Sequence, residues 1–278
     1  MGLQGPVLVT AAKGTTGRRL VDRLRTEKVE FRAASRSSDT PFDWMKSDTW
    51  GPALHGMRSV YIVPEGCPND EVMAAFCQVA VDEGLAALVL LSTREAEYEG
   101  EEYEKALDIE DAVVDAGTGW TILRPSWFCQ NFHTHYDQEV RAGLLELPAG
   151  DGREPFVDAD DIAEVAFQAC TMHGHEEKTY NISGPEPITY AEACEKISAL
   201  TGLTVQYRAV TEQEYLERLI SRGTPADQAK EWSAVHRPVA QGKNDYVSEG
   251  VRRLLGRPAK DFDTFVRESV EKGIWPRA

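Results

Sequence analysis

The sequence predicts an α/β protein: a doubly wound parallel sheet with a smaller, mostly helical C-terminal lobe. Three observations predict this class. Short apolar runs rich in β-branched residues alternate with stretches of helical period along the first half of the chain. The first such run, Val7-Leu8-Val9, leads through a turn holding Gly14 and Gly17 into a helix. Past residue 185 the strand signal gives way to helix-capping patterns. Residues 1–150 read as a dinucleotide-binding core, with 151–184 returning to it, and 185–278 as a substrate lobe.

Val7, Leu8 and Val9 form an unbroken apolar run, as expected of a strand covered on both faces. Leu20, Val21 and Leu24 follow at helical spacing, with Thr15 and Thr16 as N-cap candidates. A helix that opens on such a turn points backbone N–H groups and a positive dipole end at it, which suits a phosphate. Thr10, Ala11, Lys13, Gly14, Thr15, Thr16 and Gly17 are therefore expected around a dinucleotide. The full fingerprint has a third glycine where Ala11 stands, and a methyl there crowds the turn or the pyrophosphate.

The second strand, Glu30–Ser35, ends at Arg36. A carboxylate at this place favours NAD, whereas an arginine accommodates the 2′-phosphate of NADP. Arg36, flanked by Ser35 and Ser37 and assisted by Arg18 or Arg19, reads as NADP(H) over NAD(H). Asp43-Trp44 lies in a loop before the third strand, Ser59–Val63, which Pro64 ends. A helix with Val72, Phe76, Val79 and Ala80 on one face follows, then the strand Ala87–Leu91 closing on Ser92-Thr93. Ala106, Ile109, Val113 and Ala116 mark the next helix, which stops at Gly117. The strand Trp120–Leu123 ends in Arg124-Pro125-Ser126-Trp127-Phe128. Strands alternating with helices in this rhythm give right-handed βαβ units. Ligands of such sheets lie outside the carboxyl ends of the strands, which nominates Val63-Pro64-Glu65, Ser92-Thr93 and Pro125 to Phe128.

Beyond Gly143 the pattern loosens. Asp158 is an N-cap candidate for a helix with Ile162, Val165, Ala166 and Ala169 inward, and Thr179–Ile182 reads as a strand. Thr189-x-x-Glu192 and Thr211-x-x-Glu214 are capping boxes ahead of apolar helical runs.

The chain has 278 residues, enough for one large core plus a lobe. Its formal charge of −16 repels phosphodiester backbones, so a nucleic-acid partner is not expected. No apolar run is long enough to span a bilayer, and the N-terminus shows no signal pattern. Five cysteines without a Cys-x-x-Cys pair read as reduced thiols of a cytoplasmic protein.

Several segments together resemble the NmrA-like, atypical branch of the short-chain dehydrogenase/reductases, and within it bacterial relatives of the ergot-alkaloid iminium reductases of the agroclavine dehydrogenase type. They are Val7–Thr10 with Gly14-x-x-Gly17-Arg18-Arg19, Arg32–Arg36, Phe42-Asp43-Trp44, Val60–Pro64 and Leu90-Leu91-Ser92. Gly119-Trp120-Thr121-Ile122-Leu123-Arg124-Pro125-Ser126-Trp127-Phe128-x-Gln130-Asn131-Phe132 carries most of the likeness, and Val251–Pro258 with Trp275 completes it. The resemblance implies a Rossmann-type core, NADP(H), and hydride transfer to an imine, iminium or activated double bond of a small organic molecule in secondary metabolism. Two departures stand out. The family turn reads Gly-Ala-Thr-Gly where this chain has Ala11-Ala12-Lys13-Gly14, so Lys13 is either a phosphate ligand or a filler of the groove. The superfamily's Tyr-x-x-x-Lys is absent, since Glu102 follows Tyr98 and Leu107 follows Tyr103 at that spacing. An iminium acceptor tolerates this, because hydride alone neutralises it.

Ser92 and Thr93 stand where the superfamily places its substrate-binding hydroxyl. Tyr98, Tyr103 and His133 complete the catalytic candidates, with the acidic stretch Glu97 to Glu104 positioned to attract a cationic amine or iminium. Glu65, Trp127, Phe128, Phe132 and Trp232 are expected to line the substrate pocket. His133 and His135 lack a third ligand, so no metal is expected. Two other readings stay open: a non-catalytic NADP sensor, and a cofactor-independent cyclase, isomerase or lyase working through Tyr98, Glu65 or His133.

Overall fold

A computed structural model describes residues 5–98 and 100–277, apart from the side chains of residues 101–103. The side chain of the candidate Tyr103 thus lies outside what is described. In chain order the strands are β1 (Val7–Val9), β2 (Phe31–Ser35), β3 (Thr40–Pro41), β4 (Ser59–Ile62), β5 (Ala87–Leu91), β6 (Gly119–Pro125), β7 (Leu144–Leu147), β8 (Arg153–Glu154), β9 (Lys178–Ile182), β10 (Ile188–Thr189) and β11 (Gln206–Ala209). The helices are α1 (Thr15–Thr26), α2 (Trp50–Leu54), α3 (Asp70–Asp82), α4 (Glu101–Val114), α5 (Asp137–Ala142), α6 (Ala159–Thr171), α7 (Tyr190–Leu200), α8 (Glu212–Ser221), α9 (Ala226–Ala234), α10 (Arg237–Ala240), α11 (Gly250–Leu255) and α12 (Phe262–Glu271).

The chain divides into two units. The first comprises Met1–Pro125, Ala159–Ile182 and Glu249–Arg257; the second comprises Ser126–Asp158, Ser183–Ser248 and Pro258–Ala278. The first division therefore falls at Pro125, upstream of residue 150.

The first unit is built on a seven-stranded sheet in the order β3-β2-β1-β4-β5-β6-β9, parallel throughout. The order reverses between β1 and β4, and that switch point opens the ligand crevice of such sheets. β1, β4 and β5 are buried along their whole length, which is why they read as unbroken apolar runs. α1 packs on α6 through Arg19–Asp160 and Arg23–Glu164, with the Arg23 guanidinium 5.0 Å from the Phe167 ring centre. That pairing occupies Arg19, which is thereby corrected from phosphate helper to helix-packing residue. Asn69 caps α3 by accepting from Val72 N at 3.1 Å.

The second unit holds the predicted helices and two small sheets missing from the sequence reading, β7 beside β11 and β8 beside β10. Both capping boxes form, Thr189 with Glu192 on α7 and Thr211 with Glu214 on α8. Phe132, Phe156, Tyr190, Phe262, Phe265 and Trp275 belong to its core. Phe132 is fully buried, 5.2 Å from Phe156 and 5.1 Å from Phe262 between ring centres. It is a core residue and not the pocket floor expected for it. Among the described residues no helix is long and apolar enough to cross a membrane. The five cysteines are buried thiols.

Candidate functional site

The site of the first unit begins at the turn after β1. Ala11 takes a left-handed conformation with φ 48°, and its carbonyl accepts from Gly14 N at 2.7 Å. Gly14 is the N-cap of α1, with extended backbone and no side-chain cap bond. Thr15 and Thr16 are thus the first helical residues and not caps. Thr16 accepts from the Tyr61 hydroxyl at 3.0 Å, and burial pushes that phenol far above its usual range. The helix start is left without a competing side-chain acceptor, which leaves its N–H groups and dipole open to an outside anion. Thr10 is also turned inward. Its hydroxyl donates to Tyr61 O and accepts from Val63 N, both at 2.9 Å, tying β1 to β4. Its buried side chain is structural and does not face a ligand.

Beside this turn lies a cavity of about 460 Å³ lined by Ala11, Lys13, Gly14, Ser35, Arg36, Ser37, Phe42, Asp43, Trp44, Met45, Val63, Glu65 and Gly66. Its size falls in the small-ligand range of about 300–1,000 Å³. Phe42 and Trp44 are held from behind by Phe76 of α3, at 5.5 and 5.1 Å between ring centres. Trp50 of α2 donates to Asp43 O at 3.0 Å and fixes the same loop. The Lys13 ammonium donates to Ser37 O at 2.7 Å and Ser37 Oγ at 2.9 Å, between two residues of the cavity lining. Arg36 is exposed at the end of β2, with no ion-pair partner among the described residues. The structure thus gathers Ala11, Lys13, Gly14, Ser35, Arg36 and Val63 around one cavity. Glu65, expected in the substrate pocket, lines this cavity instead.

Left-handed alanine costs about 1–2 kcal/mol, and glycine returns about 0.5–1 kcal/mol of that through the unfolded chain. Ala11→Gly is therefore expected to stabilise the protein by about 0.5–1 kcal/mol in urea unfolding. A drop in stability would show that the turn is unstrained.

At the carboxyl end of β5, Ser92 donates its hydroxyl proton to Glu110 of α4. Glu110 is almost wholly buried and accepts from Arg124 Nε at 2.9 and 3.2 Å. Arg124 lies 4.0 Å from Glu97, which also accepts from Asn181 Nδ2. Thr93 caps the short 3-10 turn Arg94–Glu97 and bonds the Glu95 carboxylate, and Tyr98 ends that turn. Pro125 is buried at the end of β6, opposite Ile182. Glu110 escaped the sequence reading although a signal was present. It falls four residues after Ala106 and three before Val113, on the apolar face of its helix.

In the second unit Trp127 stacks on His236 at 4.9 Å, and Tyr136 OH lies 3.0 Å from His236 Nε2. Burial pushes the His236 imidazole down to about 4, so it is neutral near pH 7. Phe128 is half-buried and bridges Val157. His133 stacks on Phe265 at 5.3 Å and meets Trp275 edge-on at 5.8 Å, which makes it a packing residue of the lobe. Trp232 on α9 is 46% exposed. No cluster of three or more metal-ligating side chains occurs among the described residues.

No family model matches the chain. It is 30% identical over 290 residues to festuclavine synthase II of Penicillium roqueforti, covering 97% of this chain and 99% of that one. Among solved structures it superposes on the NADPH complex of the Escherichia coli NADPH-dependent quinone oxidoreductase with a TM-score of 0.81. The two share 19% identity, over 94% of this chain and 99% of the other. The negative transcriptional regulator NmrA superposes with a TM-score of 0.74 and 12% identity, over 97% of each chain. With that relative at 30% identity along its whole length, and with this sheet order, the chain belongs to the NmrA-like reductase family that includes festuclavine synthase II.

Proposed function

We propose that the protein is an NADPH-dependent reductase that delivers hydride to an imine, iminium or activated double bond of a small organic molecule, in secondary metabolism. The observation that carries this reading is the cavity at the end of β2, where Arg36 and Lys13 stand beside the uncapped start of α1. Arg36 and Lys13 suit the 2′-phosphate, and the α1 N–H groups suit the pyrophosphate. Phe42 and Trp44 offer aromatic surface to an adenosine. When bound, NADPH supplies a hydride from C4 of its nicotinamide. The chain's part is to hold the nucleotide by its phosphates and to receive a substrate outside the carboxyl ends of β4 and β5. Ser92, spent on Glu110, has no proton to give there, which agrees with an acceptor that hydride alone neutralises.

Tryptophan fluorescence on titration with NADPH, then NADH, tests the reading. Saturable binding with NADPH preferred, followed by oxidation of NADPH when an iminium such as 3,4-dihydroisoquinolinium is added, is the expected result. Absence of NADPH binding would remove the reductase, and binding without turnover of any acceptor would favour a sensor. Lys13→Ala is expected to weaken NADPH by about 1 kcal/mol, the worth of one hydrogen bond, because the ammonium already has partners on Ser37.

A further inference from the structure

We propose that Met45 is a site of oxidation by hydroperoxides, and that its sulfoxide weakens nucleotide binding in the cavity of the first unit. The inference rests on the reading of that cavity as a dinucleotide site and names a control on it. Met45 lines the cavity beside Asp43 and Trp44 and is 72% exposed. Its backbone is fixed there. Met45 N donates to Asp43 Oδ1 at 3.0 Å, and Asp43 O accepts from Lys46 N and from Trp50 Nε1, each at 3.0 Å. Trp44, the preceding residue, is buried and packs edge-on against Phe42 and Phe76, at 5.0 and 5.1 Å between ring centres. With the indole taking the core position of this loop, the Met45 side chain stays at the cavity and in reach of solvent.

Sulfur elsewhere in the chain is shielded. The five cysteines are buried thiols, and burial pushes Cys77 and Cys194 up to about 12 and raises Cys67 and Cys170 as well. A thiol held in this way offers an oxidant little thiolate. Met57 and Met73 are buried, which leaves Met45 and Met172 as the exposed sulfur residues among the described residues. Met172 follows α6 and takes no part in the cavity lining. A hydroperoxide passes one oxygen to a thioether. The S–O bond forms as the O–O bond breaks, sulfur is oxidised by two electrons, and the hydroperoxyl proton leaves with the other oxygen as water or an alcohol. The product is polar where the thioether was apolar, and its oxygen accepts hydrogen bonds. At Met45 that oxygen joins the carboxylates of Asp43 and Glu65 in the lining, and all three oppose an anion. The soft apolar contact that a thioether offers an aromatic ring is lost as well. Oxidation therefore weakens the nucleotide, and a bound nucleotide in turn covers the sulfur.

Limited treatment with hydrogen peroxide, followed by mass-spectrometric mapping of methionine sulfoxide, tests the assignment, with Met172 as the internal reference. Saturating NADP⁺ is expected to slow oxidation of Met45 severalfold and to leave that of Met172 unchanged. Calorimetric titration of the oxidised protein is expected to show NADP⁺ bound about threefold to tenfold more weakly, the range for one thioether contact with an aromatic ring. Met172→Leu should show the same loss on peroxide treatment, whereas Met45→Leu should bind NADP⁺ alike before and after it. The assignment is overturned by a Met45 that oxidises equally fast with and without bound NADP⁺. It is overturned equally by an oxidised wild type that keeps its affinity, or by a Met45→Leu variant that loses affinity on peroxide treatment as the wild type does. Failure of the untreated protein to bind NADP⁺ overturns the dinucleotide reading of the cavity, and the assignment with it.

Discussion

Replacing Arg36 by alanine is expected to weaken NADPH binding by about 1–3 kcal/mol and to leave NADH binding unchanged. The two nucleotides differ only in the 2′-phosphate, so only a residue that meets this group separates them. Arg36 ends β2 with no ion-pair partner among the described residues, and it lines the cavity next to the first turn of α1. Its guanidinium presents a planar fork suited to phosphate, whereas the Lys13 ammonium beside it is a point charge already bonded to Ser37. Asp43 and Glu65 line the same cavity and oppose an anion, so removal of Arg36 leaves Lys13 against two carboxylates. Paired fluorescence titrations of the variant give the result directly. An equal loss for NADPH and NADH would place Arg36 elsewhere than on the phosphate.

The parts of this site that were legible in the sequence are those that depend on neighbours along the chain. The strand-turn-helix at Val7 to Val21 was readable because burial on both faces gives β1 an unbroken apolar run. The capping boxes at Thr189 and Thr211 were readable because each closes over three residues. β11 was missed because Gln206–Ala209 lies largely exposed and shows no apolar alternation. β3 has only two residues and leaves no period at all.

The misplacements of Ser92 and Phe132 share a cause, which is a partner far off in sequence. Ser92 looked like an available hydroxyl, and the group that occupies it lies 18 residues away on another element. Phe132 sits in an aromatic stretch that suits a pocket floor equally well. Only the arrival of Phe156 and Phe262 from later in the chain makes it core. Thr15 and Thr16 are good capping residues by type, but Gly14 takes the cap and leaves the helix start open to an anion. A helix whose task is to hold a phosphate has reason to leave its N-cap side chain out, and propensity alone misreads it.

Gly17→Ala is expected to be the most damaging single-methyl change at the site. A β-carbon at position 17 would lie 2.3 Å from Ala11 O, 3.0 Å from Ala11 C and 3.1 Å from Ala12 Cα. All three are backbone atoms, so no side-chain rotation relieves the clash. Either α1 moves off the turn or the turn opens, and each displaces the N–H groups that face the cavity. Overpacking of this kind costs about 3 kcal/mol, a fall in melting temperature on the order of 5–10 °C. NADPH affinity should fall as well, because the helix start no longer meets the pyrophosphate from the same place. Gly14→Ala is the control. Its backbone is extended, with φ −74°, and the nearest atom to an added β-carbon is Ala11 O at 3.1 Å. That variant should melt close to the wild type, since a few tenths of an ångström of adjustment accommodates the methyl. Melting curves without nucleotide separate the two cases. Equal melting of the Gly17 variant and the wild type would mean that α1 does not rest on the Ala11 carbonyl, and the cradle described for the pyrophosphate would lose its geometry.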